Sequence, residues 1–193
     1  MAIHPPKTKL PRRPSYLSKY HGLRMTEEQY LVLPEEKPYL EYVDGVVLQK
    51  PMPNSQHRKL VGRITYLLGG YVESHGGDFG PEGRVALGAA PNYRLPDTAY
   101  WAPGRPSGDD SLPTLAVEVR SPDQTLDELR TKCRFYRANG VDVCWLADPA
   151  TRTVEVFEGE RDAVRLPADA TLESPLLRGF SVPLAKLFAV LDA

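Results

Sequence analysis

The stretch from Leu115 to Ala147 constrains the fold more than any other part of the chain. Residues 115–119 form an apolar run of strand length, and 141–147 form a second. Between them, Thr125-Leu126-Asp127-Glu128 has the form of a capping box, in which a threonine and a glutamate satisfy each other's backbone N–H groups at a helix start. The predicted helix carries Leu129, Cys133 and Tyr136 at helical spacing and stops at Asn139-Gly140. Two strands joined by one such helix are predicted to pair in parallel through a right-handed crossover. One residue breaks the apolar pattern of the first strand: Glu118. A carboxylate buried without a partner is costly, so Glu118 needs a cation nearby or a metal.

The other elements are placed around that unit. Thr26-Glu27-Glu28-Gln29 is a second capping box, starting a short helix with Tyr30, Leu31 and Leu33 that Pro34 ends. Residues 39–43 and 46–48 flank Asp44-Gly45, a strong hairpin signal, and Glu41 lies on the first of these strands. Asn54 and Ser55 can cap a helix of about five turns, with Leu60, Val61, Ile64, Leu67, Leu68, Tyr71 and Val72 recurring at three- and four-residue spacing up to Gly76-Gly77. His57 falls in its first turn, where a lone histidine is read as a surface or packing residue and not as a catalytic one. Strands are expected at 84–87 and 94–101, and a loop at 103–113. Antiparallel edge strands are expected at 153–157 and 163–166, and a terminal helix at 183–191.

Length suits one domain, expected over 25–193, behind a basic, proline-rich and flexible arm at 1–24. That arm holds six basic residues (Lys7, Lys9, Arg12, Arg13, Lys19, Arg24) and no acid. The whole chain is −1, so everything after the arm carries −7 and shows no general bias toward nucleic acid. No apolar run reaches the roughly 18 residues of a membrane span, and no signal peptide is recognised. Cys133 and Cys144 form no CxxC pair; they are expected as buried free thiols, which suits a cytoplasmic protein.

Asp97 follows Pro96 where a strand resumes, and Glu118 sits on another strand. Two such carboxylates make half a shell for Mg²⁺, with Mn²⁺ an alternative, and a lysine on the next helix, Lys132, could orient the attacking water or steady the transition state. Plainer roles compete for each residue. Lys132 can pair with Glu128 four positions earlier, Asp97 can close a turn, and Glu118 can pair with Arg120.

The ordered set Leu40-Glu41-Tyr42-Val43-Asp44-Gly45, Pro96-Asp97, Val117-Glu118-Val119-Arg120-Ser121-Pro122, Lys132, Tyr136, Gly140-Val141 and Trp145-Leu146-Ala147-Asp148-Pro149 resembles the Uma-type endonuclease family. That family belongs to the PD-(D/E)XK, restriction-endonuclease-like superfamily, and the resemblance spans about residues 25–190. It implies an α/β (α+β) fold with an αβββαβ core, a central mixed sheet and flanking helices. It also implies Asp97 and Glu118 as metal-binding acids, the Val119 carbonyl as a further metal ligand, Glu41 as an upstream acid, and DNA as substrate. The chain departs from the usual pattern two residues after the glutamate, where Arg120 replaces the lysine. Arginine stays protonated and cannot act as a base, though it can bind phosphate; the resemblance implies that the lysine sits instead on the following helix, at Lys132. The expected activity is Mg²⁺-dependent DNA cleavage. Its rivals are a catalytically inactive nucleic-acid-binding or interaction module on the same fold, and a structural homodimer.

Overall fold

The computed structural model describes residues 16–88, 92–108, 110–159 and 163–192. In chain order these form α1 (Glu27–Leu31), β1 (Leu40–Val43), β2 (Val46–Gln49), α2 (Ser55–His75), β3 (Asp78–Pro81), β4 (Val85–Leu87), β5 (Asn92–Arg94), β6 (Thr98–Trp101) and β7 (Leu115–Val119). There follow α3 (Leu126–Ala138), β8 (Val143–Asp148), β9 (Thr153–Glu158), β10 (Val164–Leu166), β11 (Thr171–Glu173), β12 (Ser181–Pro183) and α4 (Leu184–Phe188), with a last 3₁₀ turn at Ala189–Leu191.

The central sheet has the order β10-β9-β8-β7-β6-β3. It is mixed: β7 and β8 run parallel, from Leu115 opposite Val143 to Val119 opposite Ala147, and every other pair is antiparallel. The α3 crossover between them is the unit read from the sequence, and both capping boxes form, Thr26 with Gln29 and Thr125 with Glu128. Strand periodicity then divides the core. Leu115, Val117 and Val119 face α2, packing with Leu60, Ile64, Leu68 and the C-terminal Leu184 and Phe188. Ala116 faces the other way, with Cys144 and Leu146, under Leu129, Cys133 and Tyr136 of α3. Glu118 shares the parity of Ala116, so its carboxylate is carried beneath α3. Both cysteines are free and buried.

A second, antiparallel sheet has the order β2-β1-β5-β4. Asp44 (φ 50°) and Gly45 (φ 80°) make the hairpin turn between β1 and β2, a left-handed pair that glycine adopts without a Cβ penalty. Residues ahead of α1 run along β2: the Gly22 N–H donates to the Val47 carbonyl (2.7 Å) and the Val47 N–H to that of Leu23 (2.9 Å). Residues 1–15, which carry four of the six basic residues of the N-terminal arm, lie outside the described residues, as does Asp109 of the expected loop.

The run expected as one strand over 94–101 divides in two. Arg94 ends β5 in the small sheet and Thr98 begins β6 in the large one. Pro96 supplies no N–H for a continuous ladder, so the chain changes sheets at Leu95-Pro96-Asp97. Asp97 therefore sits at the seam between the sheets, where its N–H donates to the Val117 carbonyl at 2.9 Å. β3 had no strand signal, since Asp78-Phe79-Gly80-Pro81 is poor in strand formers; its place at the sheet edge, where proline is tolerated, comes from pairing with β6. The β11–β12 ribbon was likewise not foreseen, and the expected terminal helix is a short α4 followed by the 3₁₀ turn.

Candidate active site

Three carboxylates from three strands or strand junctions meet where α3 crosses the seam. Glu41 comes from β1, Asp97 from the junction before β6, and Glu118 from β7; their exposures are 5%, 4% and 2%. Such burial is tolerable only with full pairing, and every one of the three is paired.

Glu118 Oε1 accepts from the Tyr136 hydroxyl at 2.9 Å and lies 2.9 Å from Lys132 Nζ. The same ammonium donates to Glu41 Oε1 at 2.7 Å. Glu41 is further held by the Leu95 N–H (3.0 Å to Oε1) and by Arg94 Nη1 (3.0 Å to Oε2). Lys132 lies on the buried stripe of α3 with Leu129, Cys133 and Tyr136, so the helix drives it inward. Its alternative partner, Glu128, is spent on the helix cap, accepting from the Thr125 N–H and hydroxyl.

Asp97 has a different set of partners. Its Oδ1 accepts from Lys50 Nζ at 2.7 Å; its Oδ2 accepts from the Val119 N–H at 2.8 Å and lies 3.1 Å from His57 Nε2. Lys50 also donates to the Leu95 carbonyl at 2.8 Å. Val119 thus enters the site through its amide, directed at the neighbouring acid.

The charges shape each group's proton affinity. Burial alone would raise Glu41, but Lys132, Arg94 and Lys50 outweigh it and bring its pKa down to about 2. Asp97 is also driven below the usual carboxylate range, because Lys50 and His57 override its burial. Glu118 goes the other way: burial raises it, the nearby Asp97 and Glu41 add to the rise, and Lys132 and Lys50 do not cancel them. Burial works against the charge on Lys132, yet Glu118 and Glu41 overcome it and raise its pKa, so it is a fixed cation and not a base. Lys50 is likewise raised, by Asp97 against burial.

Of the residues singled out from the sequence, Glu41, Asp97, Glu118, Val119 and Lys132 come together, and Arg120 does not. Arg120 Nε donates to the Gln124 carbonyl at 3.0 Å and Nη1 stands 3.5 Å from both oxygens of Asp148. Asp148 also accepts from the Thr151 hydroxyl and the Ala150 N–H, so it stays satisfied without the arginine. Replacing Arg120 by alanine should therefore cost about 1 kcal/mol or less and leave any catalytic rate within a few-fold, as thermal melts and an activity assay on the variant can check.

Two residues of the site were missed or misjudged. His57, expected on the surface or in packing, reaches Asp97; the N–H of its own backbone is fixed by the Asn54 cap at 2.8 Å, which points the first turn of α2 at the site. Lys50 gave no signal, as a single lysine after a strand is ordinary. Its clue was only its place, one residue past β2 and before Pro51.

The cluster forms the floor of a cleft of about 1160 Å³, walled by the 37–53 region on one side and the start of α3 on the other. Among the described residues no three His, Cys, Asp or Glu side chains form a group that could hold a metal ion, and the acids are engaged by ammoniums instead, Lys132 bridging Glu41 and Glu118 and Lys50 pairing with Asp97. No helix among the described residues is long and apolar enough to cross a membrane.

Comparison with known proteins agrees with this architecture. A crystal structure of a "putative nuclease belonging to DUF820" from Anabaena variabilis superposes with a TM-score of 0.78, covering 86% of this chain and 99% of that one at 24% identity, a likeness of fold. No curated protein matches the chain. The family model "Uma2: Putative restriction endonuclease" matches residues 27–185, the hairpin, the seam, the crossover and the C-terminal strands included. The chain belongs to the Uma2 family.

Proposed function

We propose that this protein hydrolyses phosphodiester bonds in DNA with the help of Mg²⁺ or Mn²⁺. The observation that carries the reading is the convergence of Glu41, Asp97 and Glu118, all buried, around Lys50 and Lys132 on the floor of one cleft. Charged groups this deep are expensive to keep for stability alone, since apolar residues would serve as well or better.

The residues would offer a hard cation oxygen donors alone: the Asp97 and Glu118 carboxylates and, as the family resemblance implies, the Val119 carbonyl. Glu118 supports the fit, being the one carboxyl whose charge the resident cations leave under-compensated. When bound, the ion would polarise the attacking water and offset charge gathering on the phosphate. Lys132 holds Glu118 and Glu41 in place and adds fixed positive charge beside the reacting phosphate. Lys50, on a flexible stem, can leave Asp97 Oδ1 and take a phosphate oxygen instead. Arg94 braces Glu41 from the other side.

A second reading is a nucleic-acid-binding module without catalysis, and one observation favours it. Lys50, Arg94 and Lys132 already match the three acids in number, so the site is near charge balance by itself. The test is cleavage of labelled DNA with Mg²⁺, Mn²⁺ or chelator, by wild type and Asp97→Asn. Cation-dependent cleavage that falls at least about a hundredfold in the variant is expected. Cleavage that persists in chelator, or is equal in the variant, would sink the hydrolytic reading; salt-sensitive binding without cleavage selects the module.

A further inference from the structure

We infer that the cleft takes an unpaired strand of DNA, with a splayed base against its hairpin wall, in preference to a regular duplex. This rests on the cleft being the nucleic-acid site proposed above, and names which form of DNA it admits.

The first ground is depth. Glu118 and Asp97 are 2% and 4% exposed, covered by Lys132, Tyr136, Lys50 and His57, so a phosphate meets them only inside the cleft and not on an open face. A duplex is stiff on the scale of this protein and presents its phosphates only on its outer surface. A single strand bends about every backbone bond and can carry one phosphate down to the floor.

The second ground is the chemistry of the walls. The hairpin side of the cleft is largely apolar, with Tyr39, Leu48, Pro51, Met52 and Pro53 beside Lys37 and Gln49. The Met52 thioether, 51% exposed, and the face of the Tyr39 ring away from Lys37, whose Nζ lies 5.3 Å from the ring centre, offer a surface on which a base can stack; in a duplex the bases are already stacked on one another. The floor below carries Lys50, Lys132 and Arg94, fixed cations that a phosphate led into the cleft would meet.

The third ground is charge at the mouth. The opposite rim bears exposed Asp123 at the start of α3, with Asp127, 91% exposed and paired with Arg130 at 2.8 Å, and Glu128, which holds the helix cap. A duplex laid across the mouth would set two phosphate rows against these carboxylates. A single strand entering along the hairpin wall brings one row, and leads it to the cations.

The test compares the wild-type protein on one labelled oligonucleotide, unpaired and annealed to its complement, by fluorescence anisotropy in Ca²⁺ and by cleavage in Mn²⁺. At least about tenfold preference for the unpaired form is expected in both readouts. Met52→Ala and Tyr39→Ala should each weaken binding of the unpaired strand about tenfold, the scale of one lost base stack, and leave the weaker duplex binding unchanged. Met52 is exposed, so its variant folds, and the wall is probed even if the Tyr39 variant does not. Equal or tighter binding of the duplex overturns the inference and leaves the hydrolytic reading standing. Preferred binding of the unpaired strand with no cleavage supports the inference and overturns hydrolysis. No binding of either form overturns both.

Discussion

Glu118→Gln is expected to give a protein that melts higher than wild type without metal, yet has lost both its response to metal and its activity. The substitution preserves shape, and the new amide oxygen can still accept from the Tyr136 hydroxyl. Lys132 keeps Glu41 as its ion-pair partner. What disappears is a charge that the fold tolerates poorly: Glu118 has its pKa raised above 4.5 by burial and by the neighbouring Asp97 and Glu41. For an acid raised in the folded state, ionisation penalises the fold as pH climbs past the unfolded value. The penalty is thus present at neutral pH and vanishes in acid. The variant's advantage should follow that course, amounting at pH 7 to about 1 kcal/mol, or a few degrees in melting temperature, and fading below about pH 4.5. Saturating Mg²⁺ or Mn²⁺ should reverse the ranking. An ion that binds only the folded state at about a hundred times its Kd stabilises wild type by about 2.7 kcal/mol, and the variant, lacking a ligand charge, by much less. Cleavage in the variant should fall about a hundredfold or more. Melting curves with and without metal decide the matter; a variant that gains as much from metal as wild type does would remove Glu118 from the site.

Much of the fold could be read from the chain because its decisive signals are local. The two capping boxes, the Asp44-Gly45 turn and the apolar α2 stripe each involve residues within a turn or two of one another, and each forms as expected. The parallel pairing of β7 with β8 also followed, since the length of α3 leaves few other connections. The division of 94–101 between two sheets was legible only in part. Pro96 announced an interruption, but nothing near it says that β5 pairs with β1 while β6 pairs with β7. β3 lies at the other extreme: its four residues resist strand structure, and only the exposed edge of β6 makes them one.

The site divides along the same line. Glu118 could be found because a carboxylate in an apolar strand is an anomaly, and Asp97 because of the motif around it. Lys132 was open to an exposed pairing with Glu128 until the buried stripe of α3 and the use of Glu128 as a cap excluded it. His57 and Lys50 reach Asp97 across 40 and 47 residues of chain, and no local pattern carries such a contact. Arg120 shows the converse error of position. It stands where the usual lysine would be, but just past the end of β7 it turns away to the Gln124 carbonyl and Asp148, so alternation along the strand no longer governs it.

Lys132→Met should be the most destabilising single change at the site, and its cost should depend on pH. The methionine fills similar volume, so the loss is chiefly electrostatic: Glu118 and Glu41 are left buried without the cation that bridges them. Breaking a buried pair from one side costs about 3–5 kcal/mol, which for a chain of this size lowers the melting temperature by roughly 6–20 °C. In wild type, Glu41 is held at about 2, against an ordinary 4.5, because Lys132, Arg94 and Lys50 outweigh the effect of burial. A depressed acid contributes stability that is complete above its unfolded value and is lost as pH falls through the folded one, so wild type should weaken between about pH 4.5 and pH 2. The variant should behave differently. Glu118, already raised by burial, takes up a proton more readily once Lys132 is gone, and the neutral acid no longer needs a cation. The gap between the two proteins should then be widest at neutral pH and narrow toward pH 4, as thermal melts across that range would show. A gap that stays constant with pH would mean that packing, not charge, is what Lys132 supplies. The double variant Lys132→Met/Glu118→Gln separates the two causes further. Removing the stranded charge should recover part of the stability lost, making the pair non-additive by about 1–3 kcal/mol, whereas lost packing would leave the two changes independent.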